Sequence, residues 1–309
     1  MADPAFVDRF RADLAALTGG ASERFGIAVS GGPDSLALLL LAHAAFPGRI
    51  AAATVDHKLR PESAAEAAFV GEVCAGLGVP HAVLAADRAI AGNVQAQARA
   101  LRYRLLAEWA ETQGVAWLLT AHHADDQAET LLMRLQRGAG LAGLSGVRAI
   151  NGAVLRPLLG WRRAELARVV AEAGLVPVAD PSNFDESYDR ARLRRRLAEA
   201  LWLDPAALAR SAAALAEAEA ALDWTAGRLL DERVRRDGDA ILFDPAGLPA
   251  ELRRRILLHL LAPAAPPRGD ALQRLIAALE AGGSATLAGM KCEGGPVWRL
   301  APAPPRRKS

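Results

Sequence analysis

Residues 25–35 read Phe-Gly-Ile-Ala-Val-Ser-Gly-Gly-Pro-Asp-Ser, and this stretch decides the fold. Its first five residues are typical of a short buried strand, and the apolar run 36–45 that follows is typical of a helix. The loop Ser30–Ser35 therefore joins a strand to a helix, where a doubly wound fold binds anions. Its glycines let backbone N–H groups approach phosphate oxygens, and the start of the helix adds partial positive charge.

The six loop residues differ from the two commonest phosphate-binding loops. They match neither G-x-x-x-x-G-K-[ST] nor G-x-G-x-x-G. Pro33 suits the first helical turn, and the hydroxyls of Ser30 and Ser35 add hydrogen-bond donors. A carboxylate beside phosphates is repulsive unless a cation lies between them, so we expect Asp34 to be a Mg²⁺ ligand. The alternative is a plain turn between a strand and a helix, because Ser-Gly-Gly is common in loops.

The alternation of strand and helix continues along the chain. We expect further strands at 50–55, 81–85, 117–120 and 154–158, separated by helices. Such alternation predicts an α/β fold with a doubly wound parallel sheet that is covered on both faces. From Pro205 onward the periodicity is almost purely helical, with helices expected at 206–236, 249–261 and 271–281 and a disordered tail at 302–309. We therefore predict a catalytic domain of residues 1–204 and a smaller, mainly helical C-terminal domain of residues 205–309.

Charged residues cluster where the predicted strands end. Asp56 follows the second strand, at the edge of the sheet where ligands bind. Asp126 and Glu129 lie three residues apart on the helix after the fourth strand, so one helix face carries both carboxylates. Such a pair is suited to hold a cation, either Mg²⁺ or an ammonium, although helix capping and solvent exposure would also explain it. Arg99, on another predicted helix, would suit an anionic nucleotide.

Seven motifs in order resemble the tRNA(Ile)-lysidine synthetase family of the N-type ATP-pyrophosphatases. The resemblance covers about residues 25–196, and the last third, with Thr286-Leu-x-Gly289, is similar to that family's first C-terminal domain. Ala191 stands where the family usually has Asn, and we expect the second C-terminal domain of longer members to be absent. The motifs are Ser30–Ser35, Val55-Asp-His-x-Leu-Arg60, Ala98-Arg-x-x-Arg-Tyr103, Thr120-Ala-His-His-x-Asp-Asp-Gln-Ala-Glu-Thr130, Leu135-x-Arg-Gly-x-Gly-Leu-x-Gly-Leu-x-Gly146, Arg156-Pro-Leu-Leu159 and Asp180-x-Ser-Asn-x-Asp-x-x-Tyr-x-Arg190.

The resemblance implies an ATP-dependent ligase that acts on RNA. The C2 carbonyl oxygen of the wobble cytidine, in isoleucine tRNA with a CAU anticodon, would attack the ATP α-phosphate and release pyrophosphate. The ε-amine of free lysine would then displace AMP and give lysidine. Mg²⁺ on Asp34 would offset the developing charge.

The resemblance also assigns roles to residues of this chain. The ATP-binding residues would be Ser30, Gly31, Gly32, Pro33, Asp34, Ser35 and Asp56. The catalytic residues would be Asp34, Asp126, Arg99 and His122, and Glu129 with Asp126 would bind lysine. The tRNA-binding residues would be Arg190, Arg194 and Arg195, on a basic surface extended by Arg192, Arg196 and Arg253–Arg255.

Three other interpretations are open. A tRNA thiolase shares the first loop, but such enzymes generally use paired cysteines, and Cys74 and Cys292 form no C-x-x-C. A glutamine-dependent synthetase would need an ammonia source, and a glutaminase domain does not fit in this length. A non-catalytic tRNA-binding module would be separated from an enzyme by the effect of mutating Asp34.

Composition limits the cellular setting. The net charge of +2 does not by itself indicate a nucleic-acid binder, so local basic runs must make any RNA contact. The longest apolar run, 36–46, is too short to span a bilayer, and the N-terminus lacks the apolar core of a signal peptide. Two distant cysteines favour a reducing compartment. We therefore expect a cytoplasmic protein that does not bind membranes.

Overall fold

The computed structural model describes residues 2–20, 24–57, 63–85, 94–178, 189–200, 202–261 and 269–303. The chain forms two compact units, residues 1–216 and 217–309. This division falls within a long helix, further along the chain than the predicted boundary between residues 204 and 205. None of the described helices is long and apolar enough to cross a membrane.

The first unit contains a six-stranded sheet of β1 (Phe25–Ala28), β2 (Ile50–Asp56), β3 (His81–Ala85), β4 (Trp117–Leu119), β5 (Ile150–Asn151) and β6 (Val154–Leu155). The spatial order is β3-β2-β1-β4-β6-β5, and all neighbours are parallel except β5 and β6. The chain runs outward from β1 to β3 and returns on the other side of β1 as β4. The junction of β1 and β4 is thus a topological switch point, where doubly wound sheets bind ligands. The predicted fold class is confirmed.

Eight helices of the first unit are α1 (Pro4–Thr18), α2 (Pro33–Ala45), α3 (Ser63–Gly76), α4 (Val94–Thr112), α5 (Ala124–Gln136), α6 (Leu141–Leu144), α7 (Arg163–Glu172) and α8 (Asp189–Glu199). A ninth begins within it and is described with the second unit. α2 is apolar around most of its circumference, and it is buried between the sheet, α1 and α7. This burial holds the start of α2, and with it the loop after β1, in a fixed place.

The opposite face of the sheet is covered by α4. Leu106 and Trp109 of this helix pack in one cluster with Ala51, Ala53 and Leu118 of the neighbouring strands. Trp109 lies so close to β1 that a Cβ atom at Gly26 would be 2.8 Å from its ring. Glycine at position 26 is therefore required by the close approach of the helix to the strand.

The second unit combines helices with a sheet. Its elements are α9 (Pro205–Arg233, which begins in the first unit), β7 (Val234–Asp237), β8 (Ala240–Phe243), α10 (Ala250–Leu261), α11 (Gly269–Glu280), β9 (Ser284–Leu287), β10 (Met290–Glu293) and β11 (Trp298–Pro302). The three predicted helices are present. The five-stranded antiparallel sheet, ordered β7-β8-β11-β10-β9, was not predicted. The prediction was wrong in extending α9 to residue 236 and in placing Pro302 in a disordered tail; residues 304–309 lie outside the described residues.

A buried ion cluster corrects the predicted basic surface of this unit. The Arg255 guanidinium is 3% exposed and donates hydrogen bonds to the carboxylates of Glu219, Asp223 and Glu251. It is therefore a structural cation and cannot reach RNA. Arg253 and Arg254 are partly exposed, but both are paired, with Glu280 and Glu251 respectively. A guanidinium that is buried in this way requires such carboxylates, because an unpaired charge is costly in the protein interior.

Candidate active site

The loop Ser30–Ser35 has the geometry of an anion cradle at the start of α2. Gly31 adopts a φ of +84°, which favours glycine, and its carbonyl accepts a hydrogen bond from the Val178 N–H at 3.0 Å. The Ser35 hydroxyl accepts from the Ser30 N–H at 3.1 Å and donates to the Gly32 carbonyl at 3.0 Å. Pro33 occupies the first helical turn, as predicted. The loop is thus fixed by its own hydrogen bonds.

Asp34 lies in the first turn of α2 and contacts the imidazole of His123. Its Oδ1 is buried and accepts no hydrogen bond from the described part of the chain, and its Oδ2 lies 3.4 Å from Nε2 of His123. A buried carboxylate oxygen without a donor fits a cation ligand. The described residues contain no group of three His, Cys, Asp or Glu side chains that could hold a metal ion. A Mg²⁺ ion at Asp34 would therefore need ligands from substrate phosphates, as is common for this ion.

His123 connects the carboxylates of two helices, a role that the sequence did not reveal. Its side chain is completely buried; Nε2 lies 3.4 Å from Asp34 and 3.6 Å from Asp126, and Nδ1 lies 3.6 Å from Asp125. These distances are those of ion pairs rather than of short hydrogen bonds. Burial acts to lower the pKa of His123, but the carboxylates of Asp34 and Asp126 outweigh it and raise the pKa. His123 thus joins the first turn of α2 to that of α5.

The pKa of the neighbouring His122 is shifted in the opposite direction, downward. Its Nδ1 lies 3.1 Å from the Thr120 hydroxyl. Burial is the largest cause that lowers the pKa of His122, to about 3, and positive charges add to it in the order Arg156, Arg99, Arg102 and Arg190. At neutral pH this imidazole is uncharged, so it can exchange hydrogen bonds with a ligand but cannot supply a cation.

The contributions of His122 and His123 to the free energy of unfolding should depend on pH in opposite directions. The unfolded chain protonates His122 near pH 6.5 while the folded protein does so near 3, so the stability associated with neutral His122 is lost as pH falls through this window. In the wild-type protein, this effect should lower the free energy of unfolding by up to about 2 kcal/mol between pH 7 and pH 5. We expect His122→Asn to abolish that part of the pH dependence. The pKa of His123 is raised, so its contribution is present below its unfolded pKa and is lost as pH rises. Urea unfolding at pH 5, 6 and 7 would show this contrast with His123→Asn, and equal pH dependence of both variants would contradict it.

Glu129 is surrounded by arginines. It is 2% exposed and accepts four hydrogen bonds: from Arg163 at 3.3 Å, from Arg190 at 2.7 Å, and from Arg194 at 2.8 and 3.2 Å. Burial acts to raise the pKa of Glu129, but Arg194 and Arg190 outweigh it and lower the pKa to about 2. A carboxylate has about four acceptor sites, so those of Glu129 are filled.

Asp126 has acceptor capacity left. Its Oδ1 accepts a hydrogen bond from Arg190 at 2.9 Å, and its Oδ2 accepts one from the His123 backbone N–H at 3.3 Å. Its side chain is 15% exposed, compared with 2% for Glu129. The predicted placement of both carboxylates on one helix face is therefore confirmed, but only Asp126 retains free acceptor sites toward a ligand.

Two other residues of the same motif serve the fold. Asp125 accepts a hydrogen bond from the Arg163 backbone N–H at 2.8 Å, at the start of α7. Gln127 is buried, donates to the Val147 carbonyl at 2.8 Å and accepts from the Val147 N–H at 2.6 Å. Gly146 lies against this side chain, since a Cβ there would be 2.5 Å from the Gln127 oxygen. The glycine-rich segment after α5 is thus anchored to the site helix.

The remaining predicted site residues lie on several different elements of the first unit. Asp56 ends β2, next to β1, and its Oδ1 accepts a hydrogen bond from Ser63 at 2.7 Å. Arg99 and Arg102 lie on α4 with their guanidinium groups 5.2 and 5.7 Å from the Tyr103 ring centre. The side chain of Arg195 is 68% exposed and lies 3.9 Å from Glu199. The motif residues Lys58–Glu62 and Asp180–Tyr188 lie outside the described residues.

Comparison with known proteins agrees with this arrangement. The model of a PP-loop domain family matches residues 7–201. A tRNA(Ile)-lysidine synthase from Novosphingobium aromaticivorans is 49% identical, over 97% of this chain and 94% of that protein. A tRNA(Ile)-lysidine synthase from Zymomonas mobilis is 44% identical, over 93% of this chain and 91% of that protein. Among solved structures, the U34-tRNA thiolase NcsA from Methanococcus maripaludis has a TM-score of 0.48 and 16% identity, over 63% of this chain and 80% of that one.

The family model covers more than half of the chain and includes the loop after β1 and the residues beyond β4. The two relatives extend the similarity through the second unit. The chain belongs to the tRNA(Ile)-lysidine synthase family of ATP-using PP-loop ligases.

Proposed function

We propose that this chain joins free lysine to C2 of the wobble cytidine in tRNA(Ile) with a CAU anticodon. In the first step the C2 carbonyl oxygen bonds to the α-phosphorus of ATP and pyrophosphate leaves. In the second step the lysine ε-amine bonds to C2, and AMP leaves with the former carbonyl oxygen. The products are lysidine, AMP and pyrophosphate.

The observation that carries this proposal is the position of Asp34 and Asp126 beside the same nitrogen, Nε2, of the buried His123, at 3.4 and 3.6 Å. The loop Ser30–Ser35, at the start of α2, would hold the phosphates of ATP, with Asp56 beside it at the end of β2. A Mg²⁺ ion at the unpartnered oxygen of Asp34 would offset the charge that builds up on the leaving pyrophosphate. The metal-binding carboxylate and the amine-binding carboxylate would then be neighbours beside one imidazole nitrogen, Nε2 of His123.

The amine side of the reaction needs a carboxylate with room for a ligand. Lysine has a side-chain pKa near 10.4 and arrives as an ammonium, so it must lose a proton before it attacks C2. We assign the ammonium to the pair Asp126 and Glu129, with Asp126 as the direct contact and proton acceptor. The acceptor sites of Glu129 are filled by arginines, so Glu129 would attract the ammonium by its negative charge without contacting it.

The RNA side of the site would use neutral His122, Arg99 and the arginines of α8. Arg195 has the most exposed side chain of the three α8 arginines predicted to bind tRNA. Arg190 and Arg194 are engaged by Glu129 in this structure, and Arg190 is still 44% exposed. Exposed guanidinium groups on one helix are suited to the phosphates of an RNA backbone.

Pyrophosphate release would test the order of the two steps. Because the carbonyl that is activated belongs to the RNA, we expect pyrophosphate release from ATP to require tRNA(Ile) but not lysine. The measurement is a coupled assay for pyrophosphate with ATP and Mg²⁺, with tRNA transcript and lysine added separately and together. The matched control is the same transcript with adenosine at the wobble position, which lacks a C2 carbonyl oxygen.

Pyrophosphate formed at the full rate from lysine and ATP without RNA would contradict the proposal, because the activated group would then be an amino-acid carboxylate. Full activity with the adenosine transcript would contradict it as well. Radiolabelled lysine recovered in the RNA, only when the wobble cytidine is present, is the expected end point.

A further inference from the structure

Arg156 is a buried cation that forms no ion pair with a carboxylate of the described residues. It follows β6 at the carboxyl edge of the sheet and is 4% exposed. Its Nη1 donates to the Arg148 carbonyl at 2.6 Å, while its Nε is buried without a hydrogen-bond partner. Within the described part of the chain, no carboxylate forms an ion pair with this guanidinium. A charge in this position lowers stability unless something else neutralises it.

The other buried arginine shows what a structural guanidinium needs. Arg255 is 3% exposed, close to the value for Arg156, and it is paired with three carboxylates. The two arginines are therefore equally buried, but they differ in whether carboxylates neutralise their charge. Arg255 is neutralised by the protein itself, whereas Arg156 is left with a carbonyl oxygen and an unused donor.

The surroundings of Arg156 are also positively charged. After burial, Arg156 is the strongest cause of the lowered pKa of His122, and Arg99, Arg102 and Arg190 follow. Arg156, Arg99 and Arg102 therefore lie near one uncharged imidazole, beyond the carboxyl ends of β4 and β6. Arg190 differs from them because it is paired with Asp126 and Glu129. Among the described residues, Arg99 and Arg102 contact the ring of Tyr103 and form no ion pair with a carboxylate. A convergence of unneutralised guanidinium groups produces a local potential that attracts an anion.

We propose that Arg156, with Arg99 and Arg102 beside it, forms a second phosphate subsite, distinct from the loop Ser30–Ser35. This inference rests on the proposed function, which brings two sources of phosphate to this edge of the sheet: the phosphates of ATP and the phosphodiester groups next to the wobble cytidine. The ligand is in either case a tetrahedral phosphate oxyanion, for which the planar guanidinium is well suited. The neutral His122 would donate a further hydrogen bond to the same oxyanion. The bound phosphate would provide the missing counter-charge of Arg156.

Binding measurements on Arg156→Gln test the subsite without turnover. The variant keeps a polar side chain and removes the buried charge, so the melting temperature of the free protein should stay the same or rise. We expect the Kd of one ligand to increase by roughly 10- to 100-fold, the loss of a charge-assisted contact. If the phosphate is that of the nucleotide, the Kd of MgATP changes in equilibrium dialysis. If it is that of RNA, the Kd of the tRNA(Ile) transcript changes, and its salt dependence weakens by about one phosphate contact.

Three control variants make the result interpretable. Arg11→Gln removes an exposed positive charge on α1 and should change neither Kd. Arg255→Gln leaves buried carboxylates unpaired and should lower the melting temperature. Arg156→Lys keeps the charge but loses the planar fork, so the salt dependence should be retained while part of the affinity is lost.

Unchanged Kd values for both ligands in Arg156→Gln would overturn the subsite. So would a fall in melting temperature like that of Arg255→Gln without a change in either Kd, because Arg156 would then be a structural cation. The proposed function fails on a different result, namely that the wild-type protein releases no pyrophosphate with tRNA and ATP. The two failures are therefore distinguishable.

Discussion

Asp34→Asn should lower tRNA-dependent pyrophosphate release by about 10²–10³-fold. The expected loss comes from the buried Oδ1, which accepts no hydrogen bond from the described residues and can bind a cation between phosphates. Asparagine preserves the size of the side chain but removes the negative charge that such a cation requires. The measurement is the steady-state rate of pyrophosphate release at saturating tRNA and ATP, over a series of Mg²⁺ concentrations.

Folding should change little in this variant. The Asp34 side chain is 31% exposed, and its contact with His123 is 3.4 Å long, so we expect the free energy of unfolding to fall by no more than about 1 kcal/mol. Asp8→Asn is a matched control, since Asp8 is 74% exposed on α1 and pairs only with a surface arginine among the described residues. This control should retain both stability and rate.

Two results would remove Asp34 from the mechanism. One is an Asp34→Asn variant with the wild-type rate at every Mg²⁺ concentration. The other is a loss of rate that follows a loss of folded protein, seen as a lower unfolding midpoint in urea. In the second case Asp34 would act through the fold, by its contact with His123, and the metal would have to be bound elsewhere.

The first unit was predictable because its signals are local. Each strand of the parallel sheet is a short, mainly apolar run, and each is followed along the chain by a helix. The turn chemistry of Ser30–Ser35 fixed the place of α2, since Pro33 begins the helix and Gly31 supplies the positive φ. Local patterns of this kind survive folding best in β1 and β2, most of whose residues are buried.

The second unit was harder to predict because its strands carry weak signals. Each is four or five residues long, and β7, at the sheet edge, has three exposed residues out of four, two of them arginine. Its sequence continues the charged pattern of α9, so the helix was extended to residue 236. Pairing with β8 through Arg235 and Arg236 decides the structure instead, and a pairing of this kind depends on neighbours along the sheet.

The site was predictable in its positions and less so in its charges. Sequence placed Asp34, Asp126 and Glu129 correctly at helix starts, because the helix period is local. It gave no indication that Asp34 and Asp126 would both lie within 3.6 Å of His123 Nε2, since this depends on two helices from distant parts of the chain. Arg190 and Arg194, which donate hydrogen bonds to Glu129, lie 61 and 65 residues further along the chain. No periodicity signals a contact over such a separation.

Glu129→Gln should lower the free energy of unfolding by about 3 kcal/mol, the typical cost of removing one partner of a buried ion pair. The carboxylate accepts four hydrogen bonds from Arg163, Arg190 and Arg194. The glutamine amide has only one acceptor oxygen, and its NH₂ group would face the N–H donors of the arginines. The guanidinium charges beside this buried position would therefore lose their negatively charged partner. Because α8 contacts α5 through these pairs, we also expect α8 to exchange its amide hydrogens faster.

The comparison with Asp126→Asn separates the docking of α8 from the binding of lysine. Asp126 retains acceptor sites, so its replacement should raise the KM for lysine by roughly 10- to 100-fold with a smaller loss of stability. Glu199→Gln, on the exposed side of α8, is the control for removing an acidic residue and should change neither quantity. If Glu129→Gln instead raised the KM for lysine at unchanged stability, Glu129 would be the direct ammonium ligand. Arg190 and Arg194 would then have to leave that carboxylate before lysine could bind.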